Sequence, residues 1–308
     1  MRCLFLLVNS VCNIACTYCF YTIGYEKRSS SRIHSNEANY IAKCIRQVEF
    51  KTVILTGGDP LHMRFKQDTY KLIEELKKYN LKVIVNTSAA FLNDSDLDLI
   101  VSLGVDRVDI SIDSHDPIIH NAQRGRHEDA HFAISGLLSR NFKSVTTTTV
   151  VTELNASTIH ETIRWLQDFG VCDIRIQHAF DPSYENRSID ALNKFNIQDV
   201  GLIHKSSHVP SYSQLMEHSS QQEAQRIGAY CQMGKEYFVC DALGNLTPCF
   251  HRGDISLGNI FRDSVEEIQS LIHSHELAQR DVPPCFGRHC VSLFDNPRFW
   301  RNDNEKTL

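Results

Sequence analysis

The sequence predicts an α/β protein: a partial (β/α)6 TIM-type barrel followed by a small cysteine-rich α+β unit. Three observations carry that expectation. Six strand-length apolar runs alternate with helix-length amphipathic segments over the first 178 residues, and strict alternation implies parallel strands with right-handed crossovers. The polar residues capable of chemistry fall where those strands end, and such barrels gather functional groups there. Eight of the eleven cysteines lie in two groups, one towards each end of the 308-residue chain.

Cys3 to Asn9 reads as the first strand. Asn36 to Val48 reads as a helix with Ser35 as N-cap. Lys51 to Leu55 is a short strand ending in the turn Thr56-Gly57-Gly58-Asp59-Pro60. Gln67 to Tyr79 is an amphipathic helix, and Leu81 to Val85 a strand running into Asn86-Thr87-Ser88. Ser95 to Leu103 is a helix closed by Gly104. Arg107 to Ile112 is a strand ending at Asp113, followed by a helix over Glu128 to Ser139. Val145 to Thr152 is β-branched and threonine-rich, as a strand should be. Thr158 to Phe169 is a helix closed by Gly170, and Asp173 to Gln177 is the sixth strand. Residues 179–229, rich in Ser, His, Asn and Gln, read as a connecting segment over the barrel mouth. Tyr237 to Val239, a Gly244-Asn245 turn and Leu246-Thr247 read as a hairpin, and Ser264 to Ala278 as a helix. The expected units are therefore residues 1–178, 179–229 and 230–308.

Composition narrows the function. Apolar residues make up 42% and charged residues 22%, with a net charge of −5, so no basic face for nucleic acid is expected. The apolar stretches are strand-sized and neither span a membrane nor form a signal peptide. A cytoplasmic protein is expected, and there clustered cysteines point to metal or catalysis because disulfides are rare. Cys3, Cys44 and Cys172 sit in apolar periodic segments and read as buried structural thiols. His127 and His131, four apart on a helix, lack an evident third ligand and read as a solvated face; His178, after the sixth strand, is a candidate for substrate contact.

The run CNIACTYCF places Cys12, Cys16 and Cys19 at C-x3-C-x2-C spacing directly after the first strand. Iron–sulfur clusters are held by thiolates, and three thiolates leave one iron of a cubane open for a substrate or cofactor. Zinc is the rival, but closed structural zinc sites use four ligands. With Tyr18 before the last cysteine, the motif resembles the radical S-adenosylmethionine (SAM) superfamily. That resemblance implies a [4Fe–4S] cluster on the three cysteines, SAM chelated at the open iron, and a 5′-deoxyadenosyl radical that removes a hydrogen atom from the substrate. It also implies that Gly57, Gly58 and Asp59 receive the methionine moiety, with Asp standing where members often have Glu. Ser111 and Asp113 resemble the ribose-binding pair. Asn86, Asn155 and Arg124, the last followed by Gly125, are implied as further contacts.

Cys231, Cys240, Cys249, Cys285 and Cys290 form the second group. Cys231-x12-Gly244-x4-Cys249 resembles the opening of the SPASM/twitch extension of radical SAM enzymes. Too few cysteines remain for two auxiliary clusters, so the resemblance implies one, on Cys231, Cys249, Cys285 and Cys290; a four-thiolate zinc site is the rival. Cys240 is then spare. It reads either as a buried hairpin thiol or as a hydrogen-atom donor to a substrate radical, with Cys249 the donor if Cys240 is the ligand.

Two enzyme readings follow: epimerisation or dehydrogenation of a small hydroxyl-rich molecule, and maturation of a peptide. The first strand begins almost at residue 1, leaving no room for a leading peptide-recognition domain, which favours the small molecule and, with a spare cysteine, epimerisation. The expected partner is a one-electron reductant of the flavodoxin or ferredoxin kind. The non-enzyme alternative is an iron–sulfur electron carrier.

Overall fold

A computed structural model describes residues 2–19, 31–171, 173–178, 233–250 and 252–278. Strands β1 (Cys3–Asn9), β2 (Thr52–Gly57), β3 (Lys82–Thr87), β4 (Arg107–Ser111), β5 (Val145–Val151) and β6 (Asp173–His178) pair in chain order, all parallel. Between them lie α1 (Ala38–Gln47), α2 (Lys66–Lys78), α3 (Asp94–Ser102), α4 (Pro117–Gln123), α5 (His127–Ser139) and α6 (Ile159–Asp168); α7 (Val265–Ala278) follows later. The six strands of the sequence reading and the helical connections between them are present among the described residues.

One helix was not anticipated. α4 is short and lacks an apolar period, but it carries a legible start signal: Asp116 accepts a hydrogen bond from Ile118 N at 2.8 Å, and Pro117 occupies the first turn. Ser35 is not an N-cap; it lies inside a 3-10 turn (Ser35–Glu37) whose box is closed by His34 and Glu37.

The hairpin of β7 (Tyr237–Cys240) and β8 (Leu246–Thr247) forms as expected, with Asp241 accepting from Leu243 N and Asn245 N at 2.9 Å to fix the turn. Its placement is new. β7 pairs with β1 in parallel, giving one sheet in the order β6-β5-β4-β3-β2-β1-β7-β8. The C-terminal segment thus continues the barrel sheet.

Side chains alternate across this sheet with period two. Leu4, Leu6 and Val8 of β1, with Val83, Val85, Val108 and Ile110, face the helices and join Ile45, Leu72 and Leu137 in the main core. Burying each such side chain contributes about 1.5–3 kcal/mol. Phe5 and Leu7 face the other, inner side and pack with Met233, Val239 and Cys249. Further round, Asp109 on the inner face accepts from Thr148 Oγ1 at 2.8 Å and faces Arg175 at 3.5 Å, so the barrel interior is partly polar.

Candidate active site

The cysteine loop leaves β1 at Asn9, which is buried. Asn9 Nδ2 donates to Asp59 O at 2.8 Å, and its Oδ1 accepts from Val11 N at 3.1 Å. Gly58 N donates to Asn9 O at 2.9 Å and Asp59 N to Val11 O at 2.8 Å, laying the loop against the end of β2. A Cβ at Gly57 would stand 2.3 Å from Asn9 O, and one at Gly58 2.0 Å from Val11 O. Gly57 also has φ +129°. The glycine pair is required because the cysteine loop occupies the space a side chain would need.

The far end of the loop is tied to β4, β5 and α4. Thr17 N donates to Gln123 O at 2.9 Å, Cys19 N to Cys16 O at 3.1 Å, and the Tyr18 hydroxyl to Asp113. Asp113 is fully buried and also accepts from Arg124 Nε at 2.9 Å, Arg124 Nη2 at 3.2 Å and Val150 N at 2.9 Å. Burial alone would raise its pKa, but the Arg124 guanidinium and these hydrogen bonds outweigh burial and hold the carboxyl below its usual value. Arg124 also lies over the Tyr18 ring, 5.4 Å from its centre.

His120 completes the network. Its Nδ1 accepts from Asp113 N at 3.1 Å while Nε2 sits 3.1 Å from Gly125 O, so the ring is neutral with its proton on Nε2. Burial lowers its pKa to about 4. The unfolded chain therefore takes up a proton first as pH falls. Stability held by the neutral ring is complete above the unfolded value near 6.5 and declines from there towards 4. The loss amounts to at most about 3 kcal/mol at one proton over that window. Thermal midpoints measured from pH 7 to 4 are expected to fall less steeply in His120→Asn; an unchanged slope would contradict this.

Several sequence-assigned contacts are already engaged. Asp59 is buried and accepts from Leu61 N at 2.9 Å, Thr87 Oγ1 at 2.7 Å, Ser88 N at 3.1 Å and the Ser88 hydroxyl. Those four donors fill a carboxylate's acceptor positions, so Asp59 ties β2 to β3 instead of meeting a ligand. Asp113 has no open acceptor for a ribose. Asn155 donates to Asp113 O at 2.7 Å and Val150 O at 2.9 Å and accepts from Thr152 N at 2.8 Å, a structural clamp. Tyr18 and Arg124 act through Asp113 as positioning residues.

Cys240 is a second correction. It pairs with Leu6, is completely buried, and belongs to the helix-side core. It therefore lies on the helix side of the sheet, which favours the buried hairpin thiol over the hydrogen donor of the two sequence readings. Cys240→Ala is expected to cost about 1 kcal/mol through lost packing and to leave iron content unchanged, checked by denaturant unfolding and iron assay. Cys249 lies on the opposite, inner side with Leu7 and Val239.

His127 is likewise not solvated: it is buried, 5.9 Å from Trp165, with His131 4.9 Å from Phe169. Cys44 is buried and Cys3 half-buried. Cys172, Cys231, Cys285 and Cys290 lie outside the described residues, as do the side chains of Gln177 and His178.

What remains open fits a cofactor. Cys12, Cys16 and Cys19 lie on one loop, and none of them is in a disulfide. Burial raises the Cys16 thiol, and Arg124 opposes that. Among the described residues no three His, Cys, Asp or Glu groups converge on one ion as zinc would need, whereas in a cubane each thiolate meets its own iron. Asn86 Oδ1, on the inner face of β3, and Nε2 of buried Gln123 have no hydrogen-bond partner. Ser111 ends β4 on the same inner side. Gln123 escaped the sequence reading because its helix did.

A cavity of about 400 Å³ lies where β1 meets the hairpin, lined by Ser10 of the cysteine loop, Leu7, Val239, Asp241, Asn245 and Ser256 among others. Leu7 and Val239 of its wall also pack in one cluster with Cys249, which does not itself line the cavity. Among the described residues no helix is long and apolar enough to cross a membrane.

Comparison with known proteins places these features. The radical SAM superfamily matches residues 6–166, over half of the chain, and the SPASM iron–sulfur cluster-binding domain matches residues 231–291. A probable GTP 3′,8-cyclase of Methanocaldococcus jannaschii is 26% identical over 120 residues, 39% of this chain and only 39% of the cyclase's length. The antilisterial bacteriocin subtilosin biosynthesis protein AlbA of Bacillus subtilis is 24% identical over 302 residues, 91% of this chain and 62% of AlbA. The structure of anSMEcpe with bound AdoMet and Cp18Cys peptide superposes with TM-score 0.63 at 18% identity, covering 96% of this chain and 88% of that one. The chain therefore belongs to the radical SAM superfamily and continues into a SPASM iron–sulfur domain, with SAM and two [4Fe–4S] clusters as its cofactors.

Proposed function

We propose that the protein inverts a carbon centre of a small hydroxyl-rich molecule by removing one hydrogen atom and returning another from Cys249. Cys12, Cys16 and Cys19 hold the first cluster, which with SAM supplies the radical chemistry. Asn86 and Ser111 line the strand ends where the cofactor binds. The observation that carries this reading is the parity of the hairpin: Cys240 points to the helices, and Cys249 stands on the inner face beside the cavity. In the balanced step the substrate carbon loses a hydrogen atom and gains the hydrogen of the Cys249 S–H bond. The sulfur radical left behind then takes one electron and one proton, the electron coming from a one-electron reductant of the ferredoxin or flavodoxin class.

Turnover of amino sugars and aminocyclitols in deuterated water is expected to place solvent deuterium at the inverted carbon. Cys249→Ala is expected to abolish inversion while SAM cleavage and full iron content persist. A second reading makes Cys249 an auxiliary-cluster ligand and a peptide the substrate, favoured by the Gly244-x4-Cys249 spacing and by the extent of the AlbA match. An unlabelled product two electrons more oxidised would replace inversion by dehydrogenation, and iron lost in Cys249→Ala, with turnover of a peptide and not of the sugars, would replace the first reading by the second.

A further inference from the structure

We propose that the cavity between the cysteine loop and the hairpin selects a substrate bearing an amine, with Asp241 as the ammonium partner. This rests on the small-molecule reading above and names its substrate class. The cavity, about 400 Å³, is large enough for one or two sugar-sized rings. Its described lining pairs an apolar wall, Leu7 and Val239, with the hydroxyls and amides of Ser10, Asn245 and Ser256. Asp241 is the single charged side chain among the described lining residues, and no Lys, Arg or His joins it.

The carboxylate of Asp241 is held in place. Oδ1 accepts from Leu243 N and Asn245 N, and Oδ2 accepts from Asn245 Nδ2, each at 2.9 Å. The Asn245 amide is fixed in turn by Asn259 Nδ2, 3.0 Å from its Oδ1. A carboxylate has about four acceptor positions, so Oδ2 retains one for a ligand donor. An ammonium meets a preset negative charge there, while hydroxyl groups find neutral donors and acceptors around it. A phosphate meets repulsion with no cation to offset it, which sets this cavity against a nucleoside triphosphate.

Saturation-transfer NMR on the reconstituted full chain, with glucosamine, glucose and glucose 6-phosphate as probes, tests this. Glucosamine is expected to bind about two- to fivefold more tightly than glucose, the size of a partly exposed ion pair, and glucose 6-phosphate most weakly. Asp241→Asn is expected to bring glucosamine to the level of glucose. Because Asp241 also fixes the turn, Ser256→Lys supplies a second variant: Ser256 is exposed, and a cation there is expected to weaken glucosamine and strengthen glucose 6-phosphate. Equal binding of the three sugars, tightest binding of the phosphate, or an unchanged preference in both variants would overturn the proposal. These readouts need no turnover, so they can fail while the deuterium experiment succeeds, and the reverse.

Discussion

Asp113→Asn is expected to abolish loading of the N-terminal cluster and to destabilise the fold by about 3–5 kcal/mol, the cost of leaving one charge of a buried pair uncompensated. Arg124 has a side-chain exposure of only 9% and Asp113 of 0%. The amide keeps the shape of the carboxylate but removes its charge and turns an NH2 towards one Arg124 donor and either the Val150 N–H or the Tyr18 hydroxyl. The Tyr18 hydroxyl then loses its charged acceptor, and the middle of the cysteine motif loses its anchor. Tyr18→Phe breaks only that last link and is expected to cost about 1.5–3 kcal/mol. Iron per chain after anaerobic reconstitution, with denaturant unfolding, reads both effects. Full iron occupancy and wild-type stability in Asp113→Asn would refute the role given to this network. The pH dependence separates Asp113 from His120. Asp113 has a lowered folded value, so its contribution is present above the ordinary carboxylate range and is lost only as pH falls through that lowered value. Loss of stability between pH 6.5 and 4 therefore belongs to His120 and not to Asp113.

Gly58→Ala is expected to have a comparable effect by a purely steric route. Its added methyl would lie 2.0 Å from Val11 O and 2.3 Å from Val11 C. Both are backbone atoms, held by the Asp59 N to Val11 O and Gly58 N to Asn9 O hydrogen bonds, so relief requires breaking that attachment. Overpacking of about 1–3 kcal/mol adds to roughly 1 kcal/mol for each hydrogen bond lost, and Cys12 is carried out of register with Cys16 and Cys19. Gly170→Ala is the control. It meets nothing within 4 Å but keeps φ +92°, so it is expected to cost about 1–2 kcal/mol of backbone strain and no iron. Equal iron content in the two variants would show that the close approach at Gly58 does not set the loop.

The barrel was legible because each strand and each longer helix carries its own period. The first strand matches to the residue, and the fifth differs only at Thr152. The cysteine triplet and the glycine turn were legible as local motifs. The roles of Asp59, Asp113 and Asn155 were not. An acidic residue at a strand end looks the same in sequence whether its oxygens are open or filled. Here the filling donors come from far along the chain: Thr87 for Asp59, and Tyr18, 95 residues away, for Asp113. The parity of Cys240 was similarly hidden. Alternation along the hairpin was readable, but which face points inward depends on β7 lying beside β1, a pairing across more than 200 residues that no local pattern encodes.

That pairing also governs the order in which the protein is made. Cys3 and its neighbours leave the ribosome more than 200 residues ahead of their partners at Tyr237 to Cys240. Throughout elongation the nascent chain presents one flank of an apolar strand, Cys-Leu-Phe-Leu-Leu-Val-Asn, with its ladder incomplete. Such a late, non-local closure is slow and invites pairing with other chains. Truncation ahead of the hairpin would therefore yield aggregation-prone material and not a smaller working barrel, and production of the protein should depend on chaperones that shield that flank until the hairpin emerges.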